Sequence, residues 1–191
     1  MKVPLVMTVI GRDQPGLVEK LAELITKVGG NWVESRMARL GGEFAGILRV
    51  TVPNDRREEF EMLVREELVN QMHVIIKPDQ GQEEPPQPER IGRVEVTGHD
   101  RPGIVHQIAS VLARYKVNVE ELVSTVTSTP MSGEPRFRAV AKVRLPDACR
   151  IDDLKTELEK IAQDLMVDLE IEMPSPGRAD EIACQLGTEL V

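Results

Sequence analysis

The amino-acid sequence predicts an α+β protein of two β-α-β-β-α-β domains in tandem, each an antiparallel four-stranded sheet with two helices on one face. Three observations carry that expectation. The octapeptide Gly11-Arg12-Asp13-Gln14-Pro15-Gly16-Leu17-Val18 returns as Gly98-His99-Asp100-Arg101-Pro102-Gly103-Ile104-Val105, an offset of 98 − 11 = 87 residues that still holds where Asn31 becomes Asn118. The apolar residues around each copy run through the same succession of strand and helix periodicities. A polar stretch with four prolines, Pro78 to Arg90, separates the two halves.

The first copy opens with residues 3–10, short, apolar and rich in β-branched residues, which read as a mostly buried strand ending at Gly11. Leu17, Leu21, Leu24, Ile25 and Val28 then fall at the spacing of one helix face, and Gly29-Gly30 ends that helix. Asn31 opens a second strand to about Leu40, Gly41-Gly42 marks a tight turn, and Phe44 to Val52 returns as a third strand before Pro53. Asn54-Asp55 is expected to cap a second helix carrying Phe60, Leu63, Val64 and Leu68 on one face, and Met72 to Lys77 supplies the fourth strand.

The second copy repeats the order. A strand from Arg93 to Thr97 leads into the motif, and Ile104, Ile108, Val111, Leu112 and Tyr115 repeat the helical spacing. Asn118 opens the next strand, a longer loop spans Ser128 to Pro135, and Phe137 to Leu145 returns before Pro146. Ile151, Leu154, Leu158, Ile161 and Leu165 mark the second helix, and residues 167–171 alternate as a last strand. The domains are accordingly 1–78 and 91–173, with 79–90 as a proline-stiffened linker and 174–191 as a tail that reads equally as a short helix or as disorder. A linker of that length and stiffness lets the two halves dock side by side.

Composition narrows the function. A net charge of −8 and only 3% aromatic residues argue against direct contact with nucleic acid or anionic membrane, where Lys and Arg neutralise phosphate and aromatic rings stack on bases. Arg36, Arg39 and Arg49 could line a local basic face, but solvated strand positions explain them more simply. Two cysteines, Cys149 and Cys184, form no disulfide framework and no metal spacing, and no signal-peptide pattern or long apolar run is present, which points to the cytoplasm. His99 and His106 invite a metal reading, but the first copy carries Arg12 and Glu19 at the matching positions, and no cofactor is expected. No nucleophile and base pair is suggested, so the chain does not read as an enzyme. Trp32 reads as a core or interface filler.

The element order is the ferredoxin-like arrangement, which by itself says nothing about function. The loop Gly-x-Asp-x-Pro-Gly does. Asp13 and Asp100 are expected to accept a hydrogen bond from the first helical turn, Pro15 and Pro102 stand where a missing N–H costs little, and Gly16 and Gly103 leave room for a ligand or another chain. Such a helix start favours a small anion such as a carboxylate.

Asp-x-Pro-Gly-[Leu/Ile]-Val after the first strand, with Asn eighteen residues beyond the Asp, resembles the ACT domain, a module that senses amino acids, in both halves. Two such domains in a chain of this length resemble the glycine cleavage system transcriptional repressor family. The resemblance implies a small, glycine-like amino-acid ligand between two ACT domains, contacted by Asp13, Gln14, Pro15, Gly16, Leu17 and Asn31 in one copy and by Asp100, Arg101, Pro102, Gly103, Ile104 and Asn118 in the other. In the serine-sensing phosphoglycerate dehydrogenases an Asn stands where this chain has Asp13 and Asp100; a carboxylate there meets the ligand's ammonium and repels its carboxylate. The resemblance further implies a homo-oligomer that acts through a regulatory protein partner, with possible alternatives in a ligand-free oligomerisation module or a regulatory subunit of an amino-acid or one-carbon enzyme. Formyltetrahydrofolate deformylases begin with a similar domain.

Overall fold

The computed structural model describes residues 1–81, 90–128 and 134–173. The linker expected at 79–90, the long loop of the second copy and the tail at 174–191 lie largely or wholly outside the described residues. The chain divides into two compact units, Met1–Glu83 and Glu84–Val191.

In the first unit the order is β1 (Lys2–Arg12), α1 (Leu17–Lys27), β2 (Asn31–Leu40), β3 (Glu43–Pro53), a 3₁₀ turn (Asn54–Arg56), α2 (Arg57–Leu68) and β4 (His73–Pro78). The four strands form one antiparallel sheet in the order β2-β3-β1-β4. Alternation along β1 turns Leu5, Met7 and Val9 to one face, where they meet Leu48, Val50 and Val52 of β3. Leu17, Leu21, Leu24 and Ile25 of α1 and Phe60, Val64 and Leu68 of α2 close over that face. Two helices on one side of a sheet are enough to make a core because the strands alternate and the helices repeat every 3.6 residues.

The second unit repeats the arrangement with β5 (Arg90–His99), α3 (Ile104–Arg114), β6 (Asn118–Ser128), β7 (Pro135–Leu145), α4 (Ile151–Leu165) and β8 (Val167–Glu172), in the sheet order β6-β7-β5-β8. Val94, Val96, Ile108, Leu112, Val143, Leu154 and Leu158 lie in its core. Even the irregularities recur: the β2–β3 register shifts between Trp32 and Glu34, and the β6–β7 register between Val119 and Glu121.

The structure departs from the sequence reading at the helix starts. Asn54-Asp55 makes a 3₁₀ turn and α2 begins only at Arg57, without a side-chain cap. Strand β5 starts at Arg90, earlier than the apolar pattern implied, because Ile91 and Gly92 pair with Arg144 and Val143 of β7.

Gly11 and Gly98, the first residues of the two motif copies, serve the fold. A Cβ on Gly11 would stand 2.3 Å from the Gln71 carbonyl oxygen, and one on Gly98 would stand 2.6 Å from Val167 Cγ1. Each glycine lets the chain entering the last strand cross close to the central one.

The sheet faces away from the helices differ. In the first unit Ile10, Ile47 and Ile75 are exposed there. In the second, Arg93 is buried beside Glu95, and Arg138 donates to Glu95 at 2.7 Å. Hydrogen bonding from Arg138, with Arg93 adding to it against an opposing effect of burial, holds the Glu95 carboxyl below the usual carboxylate range.

Two outcomes are expected. Gly11→Ala destabilises the protein by about 1–3 kcal/mol, the ordinary cost of overpacking, read as a lower midpoint in urea. Because the folded pKa of Glu95 is depressed, its stabilisation is present above the unfolded carboxylate pKa and fades as pH falls through the lower folded value. Glu95→Gln therefore loses about 1–2 kcal/mol at pH 7, and the gap to wild type closes in acid, measured by denaturant unfolding at a series of pH values.

Candidate functional site

In each unit the repeated motif forms the bend between the central strand and the first helix. Helices α1 and α3 begin at Leu17 and Ile104, and their N-cap residues are Gly16 and Gly103, with φ of 93° and 96°. That left-handed conformation is what demands glycine there. The space in front of them is open: a Cβ on Gly16 would meet nothing within 4 Å, and one on Gly103 only the Gln107 amide at 3.8 Å.

The capping role expected of Asp13 and Asp100 is not found, since neither helix start has a side-chain cap. The reason is geometric. The left-handed glycine turns the chain into the helix and leaves the aspartate beside the neighbouring hairpin. The Asp13 N–H donates to the Gly42 carbonyl at 2.9 Å, and the Asp100 N–H donates to the Pro135 carbonyl at 3.1 Å.

The side chains of the two aspartates then part ways. The Asp13 carboxylate forms an ion pair with Arg39, whose Nε stands 2.6 Å from Oδ2. Residue 126 of β6, opposite Phe137 as Arg39 is opposite Phe44, is valine. Among the described residues the Asp100 carboxylate has no ion-pair or hydrogen-bond partner. Arg39 thus belongs to the motif of the first unit, a role the sequence reading missed when it grouped this residue with Arg36 and Arg49. Aligning the strands at the 87-residue offset is the signal that shows it. The grouped arginines form no free basic face: Arg36 pairs with Glu34 and Arg49 with Asp79.

Asn31 and Asn118 are exposed at the starts of β2 and β6. Asn31 lies opposite Thr51, which lies opposite Pro4 near the start of β1, whereas the motif follows the end of β1 at Arg12. From Pro4 to Arg12 the strand covers roughly 26 Å at ~3.3 Å per residue. Asn118, opposite Arg144 and so level with Ile91, stands just as far from His99. Within one unit the motif and the asparagine occupy opposite ends of the sheet.

The second unit also holds two adjoining cavities that sequence reasoning did not anticipate. One, of about 740 Å³, is lined by residues that include Glu95, Thr97, Arg136, Gln163, Asp168 and Glu170. The other, of about 260 Å³, reaches Gly98, His99 and Glu134 and shares Arg136, Met166 and Asp168 with the first. His99 Nε2 stands 3.8 Å from Glu134 Oε2. Among the described residues no group of three or more His, Cys, Asp or Glu side chains is placed to hold a metal ion. No helix among them is long and apolar enough to cross a membrane.

The family model of the ACT domain matches residues 3–74, and a second ACT domain model matches residues 92–163. The chain belongs to the ACT domain family. The chain is similar in sequence to the glycine cleavage system transcriptional repressor of Escherichia coli (strain K12), at 28% identity over 123 residues. That match covers 63% of this chain and 63% of the relative, so the chain spans under two thirds of that protein's length. The UPF0237 protein MK1213 of Methanopyrus kandleri is 37% identical over 87 residues, 45% of this chain and 90% of its own. Among solved structures, that of an unknown protein from Galdieria sulphuraria superposes with a TM-score of 0.82 at 25% identity, covering 92% of this chain and all of that one.

The Asp13–Arg39 pair is mostly solvent-exposed, with side chains 34% and 69% accessible. A double-mutant cycle of Asp13→Ala and Arg39→Ala is expected to give a coupling below about 1 kcal/mol that shrinks further in high salt, whereas Asp100→Ala leaves stability nearly unchanged. Thermal unfolding of the four variants at two salt concentrations checks both.

Proposed function

We propose that this tandem ACT protein is a non-catalytic cytoplasmic regulator that senses a small, glycine-like amino acid at an interface between two ACT units. It passes its state to a protein partner in the control of amino-acid metabolism, including its transcription. The observation that carries the reading is the separation of the motif and the asparagine to opposite ends of each sheet. A ligand that uses both must be shared between two units, of one chain or of two, and binding it then favours one arrangement of the units over others. A partner that distinguishes those arrangements reads the ligand.

The two motif copies are not equal in this reading. Arg39 occupies the Asp13 carboxylate, so a ligand's ammonium group has to compete with a guanidinium there. Asp100 offers its charge without that competition, and Arg136 with the cavity-lining carboxylates sets both signs of charge near the same end of the sheet. The second copy is therefore the stronger candidate for the ammonium end of a zwitterion, and Asn118 or Asn31 of a facing unit for its polar rim. The net charge and the paired arginines support action through a partner protein instead of direct contact with nucleic acid. The likeness to the repressor of Escherichia coli supports a transcriptional setting.

Glycine or another small amino acid at millimolar concentration is expected to raise the melting temperature, and Asn118→Ala and Asp100→Ala each to weaken that rise more than Asp13→Ala does. A panel of the twenty amino acids in a thermal-shift assay, with sizing of the oligomer alongside, is the test. A flat response to all twenty would overturn the sensor reading in favour of a ligand-free oligomerisation module.

A further inference from the structure

On the face of the first sheet away from the helices, strand register gathers apolar side chains that no core claims. Its middle row runs Arg36, Ile47, Thr8 and Ile75 across β2, β3, β1 and β4. One row toward the hairpin, Ala38, Ala45, Ile10 and His73 stand side by side. One row the other way are Glu34, Arg49, Val6 and Lys77. Ile10, Ile47 and Ile75 are 46%, 55% and 57% exposed. Charge keeps to the margin of this patch: Arg36 pairs with Glu34 on β2, and Arg49 with Asp79 at one end. Apolar centre and charged rim are the anatomy of a protein interface.

The second unit does not share the patch. By the same register, Thr97, Val140 and Glu170 stand where the first unit has Ile10, Ile47 and Ile75, and Arg93 and Glu95 replace Val6 and Thr8. Duplication kept the fold there and replaced the apolar face by charge, so the patch is a property of the first unit alone.

We propose that the first ACT unit pairs, through this face, with the first ACT unit of a second copy, back to back about a two-fold axis parallel to the strands. Such an axis lays β2 over the partner's β4 and β3 over its β1 while keeping the rows in step. Glu34 then faces the partner's Lys77, Ala45 faces the partner's Ile10, and Ile47 faces the partner's Thr8, so charges are opposed and large side chains meet small ones. Each contact occurs twice. An axis across the strands would instead set Ala45 against the partner's Arg49 and leave Glu34 against an alanine, which strips a guanidinium of water without an acid to answer it. Four strands ~4.8 Å apart and three rows ~6.8 Å apart give a footprint of roughly 400 Å² on each copy, at the small end of specific interfaces, as suits a reversible dimer. The pairing uses neither the motif nor the asparagines and does not rest on the amino-acid reading.

Analytical ultracentrifugation of the full chain, without added amino acid, is the test. It is expected to show concentration-dependent association that Ile47→Asp weakens by about tenfold or more, because a buried carboxylate replaces an apolar contact at the centre of the face. Met62→Asp, on the outer side of α2 at an equally exposed residue, should leave the association unchanged. Glu34→Lys and Lys77→Glu should each weaken it several-fold, and the double variant, which exchanges the charges across the same contact, should regain most of the loss. Thermal unfolding of each variant at a concentration where wild type is monomeric checks that the fold is intact. A chain that stays monomeric through the millimolar range would overturn the proposal. So would an association that Ile47→Asp leaves undiminished, which would place the contact between copies elsewhere, or a charge exchange that restores nothing.

Discussion

Burial of one sheet face under two helices is the constraint on which each unit depends. A single helix cannot cover four strands, and neither helix buries its own stripe without the sheet. The core exists only once residues far apart in sequence, such as Leu5, Leu48, Leu21 and Phe60, meet. Everything functional hangs from this packing. It sets the motif at one end of the sheet and the asparagine at the other, and it demands glycine at positions 11 and 98, where the strands cross too closely for a side chain.

With that frame shared, the differences between the two copies carry the specific information. The frame repeats down to the irregularity in the outer strand pair, while the surface changes from one unit to the other. Arg39 answers Asp13 where, among the described residues, Val126 leaves Asp100 without a partner. Exposed isoleucines on the back of the first sheet give way to the Arg93, Glu95 and Arg138 cluster on the second. A duplicated fold whose copies keep the core and change the surface has two units with the same architecture and unequal chemistry.

Much of this architecture was legible in the residues. The 87-residue repeat, the helical spacing of Leu17 to Val28 and of Ile104 to Tyr115, and the glycine turns placed the elements, because these signals are local. The helix starts were less legible. Asp13 and Asp100 have the composition of caps, but the left-handed Gly16 and Gly103 redirect the chain and hand the aspartates to a hairpin that the local sequence does not reveal. The site was legible as a set of residues and not as an arrangement. Arg39 belongs beside Asp13 only because β2 returns along β3 to the motif end, and the cavities near Arg136 and Asp168 arise only where β8 and α4 close on β5.

The sequence by itself determined the domain count, the order of elements and the ACT character of both halves. These follow from periodicity and from backbone sterics, which act within a few residues. The tertiary structure alone decided that the motif and its asparagine stand roughly 26 Å apart within a unit, and that among the described residues one aspartate is answered by an arginine and the other is not. Those outcomes depend on strand register, which brings residues tens of positions apart into contact or sends them to opposite ends of a sheet.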